Sequence, residues 1–366
     1  MTRALRPSTN WLLAFVAVAI VLRYGAPSRQ TFIFFSAALG IIPLAGWLGR
    51  ATEHLTARCG EGVGGLLNAT FGNAAELIIG LMALKNGLTA IVKASLTGSI
   101  IGNILLVLGA SILAGGVRRK VQRFNASGAR SQSTMLLLAA IAMIAPATYH
   151  HLTGPAQRGR ELNLSTEISV VLLFTYAVSL LFSLHTHKAF FVGKPTAAEE
   201  VEGSWSLSRS IAVLGASTGL IAWVSEILVG SVESAASSLG MSDLFVGVII
   251  VAIIGNAAEH SSAIRAAWHD RMDLSLGIAV GSSIQIALFV APALVLASFL
   301  LAPHPMELLF TPAELLAVGL AVLITSQIAG DGESNWLEGV QLLAVYVIFG
   351  LVFYFLPETA ETARQH

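Results

Sequence analysis

Two glutamates lie inside apolar sequence, and each one ends the same five-residue motif. The letters GNAAE occupy residues 72–76 and occur again at residues 255–259, at an offset of 183 residues. A second match, the pair Gly-Ser at residues 98–99 and at 281–282, has the same offset. Two matches in one register indicate an internal duplication of the chain. The glutamates that end the two motifs are therefore the first candidates for a functional site.

Glu76 and Glu259 place ionisable groups in segments that are apolar enough to cross a bilayer. A charged side chain at the bilayer centre costs about 2.5–3.5 kcal/mol on insertion scales, so such residues face the bundle interior or a water-filled cavity. They mark ion or proton pathways by default. Two hydrogen-bonded structural glutamates are the alternative, but the presence of the same acid in both copies favours transport.

Amides, hydroxyls and glycines accompany each glutamate. Asn73 and Asn256 precede the glutamates by three positions, which places them on the same helix face. An amide there can orient a carboxylate or supply an oxygen ligand. Gly72 and Gly255 permit close helix packing or a local break that frees backbone carbonyls. Further candidate oxygen donors are Asn68, Ser99, Asn103, Ser282 and Gln285.

These residue types together predict an all-oxygen cation site. Calcium takes six to eight oxygen ligands, and manganese also accepts carboxylate and carbonyl oxygens. Zinc or copper would favour His and Cys, but only His260 is adjacent, and it points about 100° away around the helix. We interpret His260 as a packing or vestibule residue, with a proton relay as the alternative. The single cysteine, Cys59, excludes an internal disulfide.

The pair of acids also predicts exchange. Two bare carboxylates close together in a low dielectric repel each other. One divalent cation cancels both charges, and so do two protons, which links metal binding to proton release. The empty, doubly charged site is costly to occlude, so the loaded forms should change sides more readily than the empty form. No organic cofactor is implied, because a cation such as calcium would itself be the transported substrate.

Composition indicates a polytopic membrane protein. The chain has 366 residues, of which 55% are hydrophobic and only 11% charged. Soluble domains carry about 25% charged residues. The net charge is zero, so nothing indicates nucleic acid as a partner. The lipid bilayer is the expected surrounding.

Hydropathy predicts eleven transmembrane helices, because each spanning helix needs about 17–25 mostly apolar residues. Five spans separate the two motifs, so the repeats cross the membrane in opposite directions, which is typical of secondary transporters. About two thirds of the 21 Lys and Arg residues then fall on one side, which predicts a cytoplasmic N-terminus and an external C-terminus. The predicted spans are 11–24, 31–50, 63–84, 88–114, 133–150, 165–187, 209–230, 243–268, 274–301, 312–329 and 336–356.

The motifs resemble those of a known family. Residues 68–79 and 255–260 are similar to the two repeat motifs of the calcium/proton exchanger (CAX) family, within the cation/calcium exchanger superfamily. Residues 331–339 and the acidic stretch with Glu199, Glu200 and Glu202 are similar to this family as well. The sodium/calcium relatives tend to carry a Gly-Thr-Ser-x-Pro-acid pattern, which is absent here and favours protons over sodium.

The resemblance implies a leading helix followed by two inverted five-helix repeats. The expected segments are the leading helix at 1–30, a first repeat at 31–190, an acidic cytoplasmic linker at 191–208, a second repeat at 209–356 and a tail at 357–366. It also implies calcium export from the cytosol across the cell inner membrane, driven by protons moving inward. Its central acids match Glu76 and Glu259, and its supporting amides match Asn73 and Asn256.

Three other functions are compatible with parts of the sequence. A sodium/calcium or manganese/proton exchanger of the same fold is the first, a cation channel the second and an intramembrane enzyme the third, although no His-Glu-x-x-His motif is present. Glu53, Glu226 and Glu233 could attract cations into vestibules or could be ordinary interfacial charges. The sequence allows a homo-oligomer but does not predict an oligomeric state.

Overall fold

The computed structural model describes residues 9–153, 158–187 and 205–357. The expectations for the acidic stretch 199–202 and for most of the 357–366 tail concern residues outside these ranges. Within them the chain is almost entirely helical. The helices are α1 (Thr9–Gly25), α2 (Gln30–Phe71), α3 (Ala74–Lys85), α4 (Thr89–Gly116), α5 (Ala126–Thr153), α6 (Arg158–Leu181), α7 (Leu207–Leu239), α8 (Asp243–Gly255), α9 (Ala257–Trp268), α10 (Met272–Leu301), α11 (Pro312–Ile328) and α12 (Trp336–Phe355).

Each GNAAE motif interrupts a helix at its asparagine. Asn73 separates α2 from α3 with φ −107° and ψ 29°, and Asn256 separates α8 from α9 with φ −93° and ψ 11°. The axes of α8 and α9 differ by 62°. A break places the motif glutamate in the first turn of the new helix. The backbone thus turns where the sequence combines Gly with Asn, two residues that disfavour a helix interior.

The helix that follows each broken pair contains a π turn. In α4 the π turn is Gly102–Val107, and in α10 it is Ile286–Val290, close to the 183-residue offset. π turns inside α-helices occur frequently at functional sites, because they re-aim the side chains beside them. The two repeats therefore share the same order of a broken helix followed by a helix with a π turn.

The prediction of a polytopic helical membrane protein is confirmed, but the count of eleven spans is not. In the described ranges seven helices are long and apolar enough to cross a membrane, or eight if α8 and α9 form one bent span. The helices α1 and α11 are apolar but shorter.

The predicted connection between the second and third spans differs from the structure. Residues 51–62 contain no loop, because α2 runs as one helix of 42 residues from Gln30 to Phe71. A straight helix of that length would be about 63 Å long, which is about twice the thickness of the hydrocarbon core of a bilayer. Within α2, only the part Gln30–Arg58 is long and apolar enough to cross a membrane. The first half of the predicted connection, residues 51–58, is rich in helix-forming residues and has no proline that would end the helix.

Two apolar clusters meet around the broken helices. One cluster joins α1, α2 and α7 through buried side chains such as Phe34, Ile41 and Val224. The other joins α4, α5, α10 and α11 through side chains such as Ile104 and Leu294. Helix α3 contributes Ile79 to the first cluster and Leu84 to the second. The candidate site therefore lies where the two halves of the core pack together.

The stretch at residues 331–339 has a local structural role. Glu333–Ser334 (β2) pairs antiparallel with Gln122–Arg123 (β1), and the register joins Gln122 to Ser334. Asn335 accepts hydrogen bonds from the backbone N–H groups of Leu337 and Glu338, and the Glu338 carboxylate accepts one from the Asn335 N–H. This reciprocal cap satisfies donors at the start of α12.

Candidate functional site

The glutamate of the first repeat packs against the break of the second. An ideal Cβ on Gly255 would lie 3.3 Å from Glu76 Cγ and 3.6 Å from Glu76 Oε1. Glu259 follows Gly255 by four residues, in the first turn of α9, so Glu76 packs against the same break that Glu259 follows. The glycine at 255 therefore leaves room for a carboxylate beside the second broken helix.

The carboxylates are buried without partners. Both side-chain oxygens of Glu76 and Oε2 of Glu259 are shielded from solvent and accept no hydrogen bond within the described residues. Other atoms of both residues are partly exposed. A buried charge costs several kcal/mol unless it is paired. These groups therefore need a cation or a proton, which is the requirement that an exchange site imposes.

A small cavity adjoins Glu76. Its lining comes from α3, α4, α8 and α10, which belong to both repeats. The lining residues are Glu76, Ile79, Ser95, Leu96, Ser99, Val251, Gly255 and Leu294. Ser95 was not among the candidates from sequence, although it lies one helical turn before Ser99 and so shares its helix face.

The first break asparagine is held by the second repeat. Asn73 Nδ2 donates a short hydrogen bond to Gln285 Oε1 on α10. Ser282 Oγ, one turn earlier on α10, donates to Asn73 Oδ1 over 2.8 Å. Both ends of this amide are therefore satisfied, and its orientation is fixed.

The second break asparagine is held by the first repeat. Asn256 Nδ2 donates to Ser99 Oγ over 2.8 Å and to the Ala252 carbonyl over 2.9 Å. Its Oδ1 accepts from Asn103 Nδ2 over 3.1 Å. The same Asn103 nitrogen also donates to Ser282 Oγ over 3.0 Å, which joins the two halves of the network.

The serine–asparagine pairs of the two repeats are equivalent under the 183-residue offset, although Ser282 donates to Asn73 whereas Ser99 accepts from Asn256. The amides Asn103 and Gln285 are not, because they differ by one position in the repeat. Asn103 is the second residue of its π turn and Gln285 directly precedes its own, and each bonds the break asparagine of the opposite repeat. Both amides therefore reach the centre despite the one-residue difference.

We expect Asn103→Ala to destabilise the protein by about 1–3 kcal/mol, because it leaves buried Asn256 Oδ1 without a donor. The readout is a lower melting temperature of the purified protein in detergent. Asn163→Ala, the same change at an exposed position of α6, is the matched control. Equal melting temperatures for the two variants would show that the Asn103 bonds contribute nothing to stability.

Several sequence candidates lie away from this network. The side chain of Asn68 is exposed, although its carbonyl accepts from the Gly72 N–H over 2.8 Å. His260 is partly exposed, and its backbone N–H bonds the Asn256 carbonyl. The three vestibule candidates are all exposed, namely Glu53, Glu226 and Glu233. Glu226 forms an ion pair with Lys85 at 3.4 Å.

Another buried carboxylate in the described ranges has a structural explanation. Glu314 is only 2% exposed at the start of α11. It accepts hydrogen bonds from the backbone and hydroxyl of Thr311, which closes a capping box, and from the Thr97 hydroxyl on α4 over 3.2 Å. Glu314 therefore fixes α11 against α4, and its charge is satisfied without a ligand.

Comparison with known proteins decides the family. Residues 29–185 and 209–355 match the family described as sodium/calcium exchanger protein. The chain belongs to this family. The two matched segments lie on either side of the connection between α6 and α7.

Among the relatives of this exchanger, the calcium/proton antiporters are closely similar. The "Ca(2+)/H(+) antiporter" of Aphanothece halophytica is 44% identical over 363 residues, 96% of this chain and 97% of that protein. The "Ca(2+)/H(+) antiporter ChaA" of Bacillus subtilis is 49% identical over 333 residues, 90% of this chain and 93% of that one. The resemblance to calcium/proton exchangers that the motifs indicated is confirmed.

A solved structure shares the fold. Native YfkE superposes on this exchanger with a TM-score of 0.81 at 43% sequence identity, over 95% of this chain and 100% of that one. The similarity extends through both repeats, so the whole helical arrangement around the two glutamates belongs to the common architecture.

Proposed function

We propose that this protein is a secondary active transporter that exchanges cytosolic calcium for external protons by alternating access. The observation that carries the proposal is the pair of carboxylates contributed by the two copies of one motif: both oxygens of Glu76 and Oε2 of Glu259 are buried and have no hydrogen-bond partner within the described residues. The Ca²⁺/H⁺ antiporters among the relatives support the choice of ions.

The two glutamates bind the metal or protons in turn. A calcium ion that replaces two protons leaves the total charge of the site unchanged, so both loaded forms can be occluded at similar cost. The amide and serine network holds the helix breaks in place while the guest changes. Glycines at the breaks allow the carboxylates to approach backbone carbonyls, which supply further oxygens that calcium prefers.

We also propose the eleven-span arrangement with a cytoplasmic N-terminus, and contacts between loops support its order of spans from α4 to α12. The segment after α4 pairs with the segment before α12 through the β1–β2 ladder, and Arg119 bonds Asp270 between α9 and α10 at 2.9 Å. The arrangement assigns these three connections to one side. On the other side, Lys93 near the start of α4 donates to the Leu309 carbonyl before α11. The inner membrane of the cell is the proposed location.

Reconstituted vesicles test the exchange directly. With the protein in proteoliposomes that enclose a pH-sensitive dye, we expect a calcium gradient to drive proton movement and a proton gradient to drive calcium uptake. Calcium uptake that follows a sodium gradient and ignores a pH gradient would identify a sodium/calcium exchanger instead. Manganese, compared with calcium in the same vesicles, distinguishes a manganese/proton exchanger. Calcium leak without proton counterflow would contradict antiport.

A further inference from the structure

The two equivalent glycines of the repeats face different side chains. At Gly255 the nearest side-chain atom to an ideal Cβ is Glu76 Cγ at 3.3 Å. At Gly72 the nearest is Gln285 Oε1 at 3.5 Å. The repeat relates Glu76 to Glu259, so symmetry would place Glu259 beside Gly72. Gln285 therefore stands where the second glutamate belongs in a symmetric site.

Beside Gly255 no side chain of the first repeat takes the place that Gln285 takes beside Gly72: Asn103 bonds Asn256, but the atoms nearest an ideal Cβ on Gly255 all belong to Glu76. At the same offset the first repeat carries Gly102, which has no side chain to occupy the equivalent place. The Gln285 oxygen is held there by the short hydrogen bond from Asn73 Nδ2. Asn73 is itself fixed by Ser282. The two halves of the site are thus unequal in this conformation, and the inequality is built into the sequence.

Alternating access gives this asymmetry a consequence. In transporters with inverted repeats, the repeats rock against each other around a fixed site. When they exchange conformations, the contact between Glu76 and Gly255 becomes a contact between Glu259 and Gly72. Gln285 must then leave Gly72 and lose its bond to Asn73. The reverse exchange displaces no side chain, because residue 102 is glycine.

We propose that Gln285 is a positioning residue that takes the place of Glu259 beside Gly72 and thereby favours one of the two access conformations. The inference rests on the proposed function, since only an alternating-access carrier has the second conformation. Apparent affinity at each membrane face scales with the population of the conformation that opens to that face. Removal of the Gln285 side chain should therefore alter the two faces unequally.

The test measures KM for calcium separately at each face, in proteoliposomes of defined orientation. For Gln285→Gly, which installs the residue of the first repeat, we expect KM to fall about fivefold or more at one face, within the usual range of conformational coupling. At the opposite face we expect an equal or higher KM. For Gln285→Met, which fills the space but cannot accept the bond from Asn73, we expect a smaller change in the same direction.

Ser283→Ala is the control, since Ser283 lies next to Gln285 but bonds the carbonyls of Ile100 and Ala279. The ratio of the two KM values should stay as in wild type. Three results would each overturn the proposal. The Gln285 variants could change KM in the same direction at both faces, or they could leave the ratio of the two KM values unchanged. Ser283→Ala could also change that ratio as much as the Gln285 variants do. If Gln285→Gly does not elute as a single species, the Met variant decides alone. A wild type that does not exchange calcium for protons would instead refute the proposed function.

Discussion

Replacing Glu76 or Glu259 with Gln is expected to lower calcium-driven proton release at least about a hundredfold. Glutamine fills the same space but carries no charge and releases no proton. With one carboxylate left, a calcium ion in the site keeps an uncompensated charge, and a hundredfold loss corresponds to only about 2.8 kcal/mol. Buried charges interact more strongly than that when no water screens them. Stopped-flow dye fluorescence in the vesicles described above measures the rate.

The same substitutions should leave the protein folded. Both oxygens of Glu76 and Oε2 of Glu259 are buried and have no hydrogen-bond partner within the described residues, so an amide in their place breaks no bond that they make and removes a buried charge. We therefore expect melting temperatures at or above that of the wild type. Glu333→Gln, an isosteric change in an exposed ion pair with Arg123 at 3.0 Å, should alter transport less than about twofold, because exposed pairs contribute 0–1 kcal/mol. Exchange by a double Glu76→Gln, Glu259→Gln variant would refute the assignment.

The repeat makes much of this site predictable from sequence. A polar residue that recurs in the same register within apolar helices identifies Glu76, Asn73 and Ser99 together with their partners in the second copy. The break at each asparagine follows from Gly beside Asn, since both residues disfavour the helix interior. Polar groups in a bilayer need partners, so the amides and serines had to face the bundle interior.

Other features of the site and of the helices depend on tertiary packing, which the sequence repeat does not predict. Sequence register separates Asn103 from Gln285 by one position, and only the π turns show that both reach the centre. The predicted connection at residues 51–62 was wrong, because hydropathy detects apolar runs and not whether a helix ends between them. Glu226 pairs with Lys85 across two helices that are far apart in sequence, so its exposure and its partner could not be read from either segment alone.

Two glycines at equivalent positions of the repeats can also differ in how closely another backbone approaches them. Gly98 and Gly281 occupy the same position in the two repeats, and both lie inside helices. An ideal Cβ on Gly98 would lie 2.5 Å from the carbonyl carbon of Val248 and 2.6 Å from its Cα, with the carbonyl oxygen closer still. An ideal Cβ on Gly281 meets no atom within 4 Å. The first repeat therefore uses its glycine to bring α4 against α8, and the second does not.

We expect Gly98→Ala to lower the melting temperature in detergent by about 5 °C or more, because backbone atoms cannot move aside as a flexible side chain can. Gly281→Ala is the matched control: both changes gain about the same helix propensity, up to about 1 kcal/mol, so the difference between them isolates the contact with Val248. Separation of α4 from α8 would also pull Ser99 away from Asn256, so transport should fall with stability in Gly98→Ala alone. Similar melting temperatures and transport rates for the two variants would mean that α4 and α8 do not pack this closely.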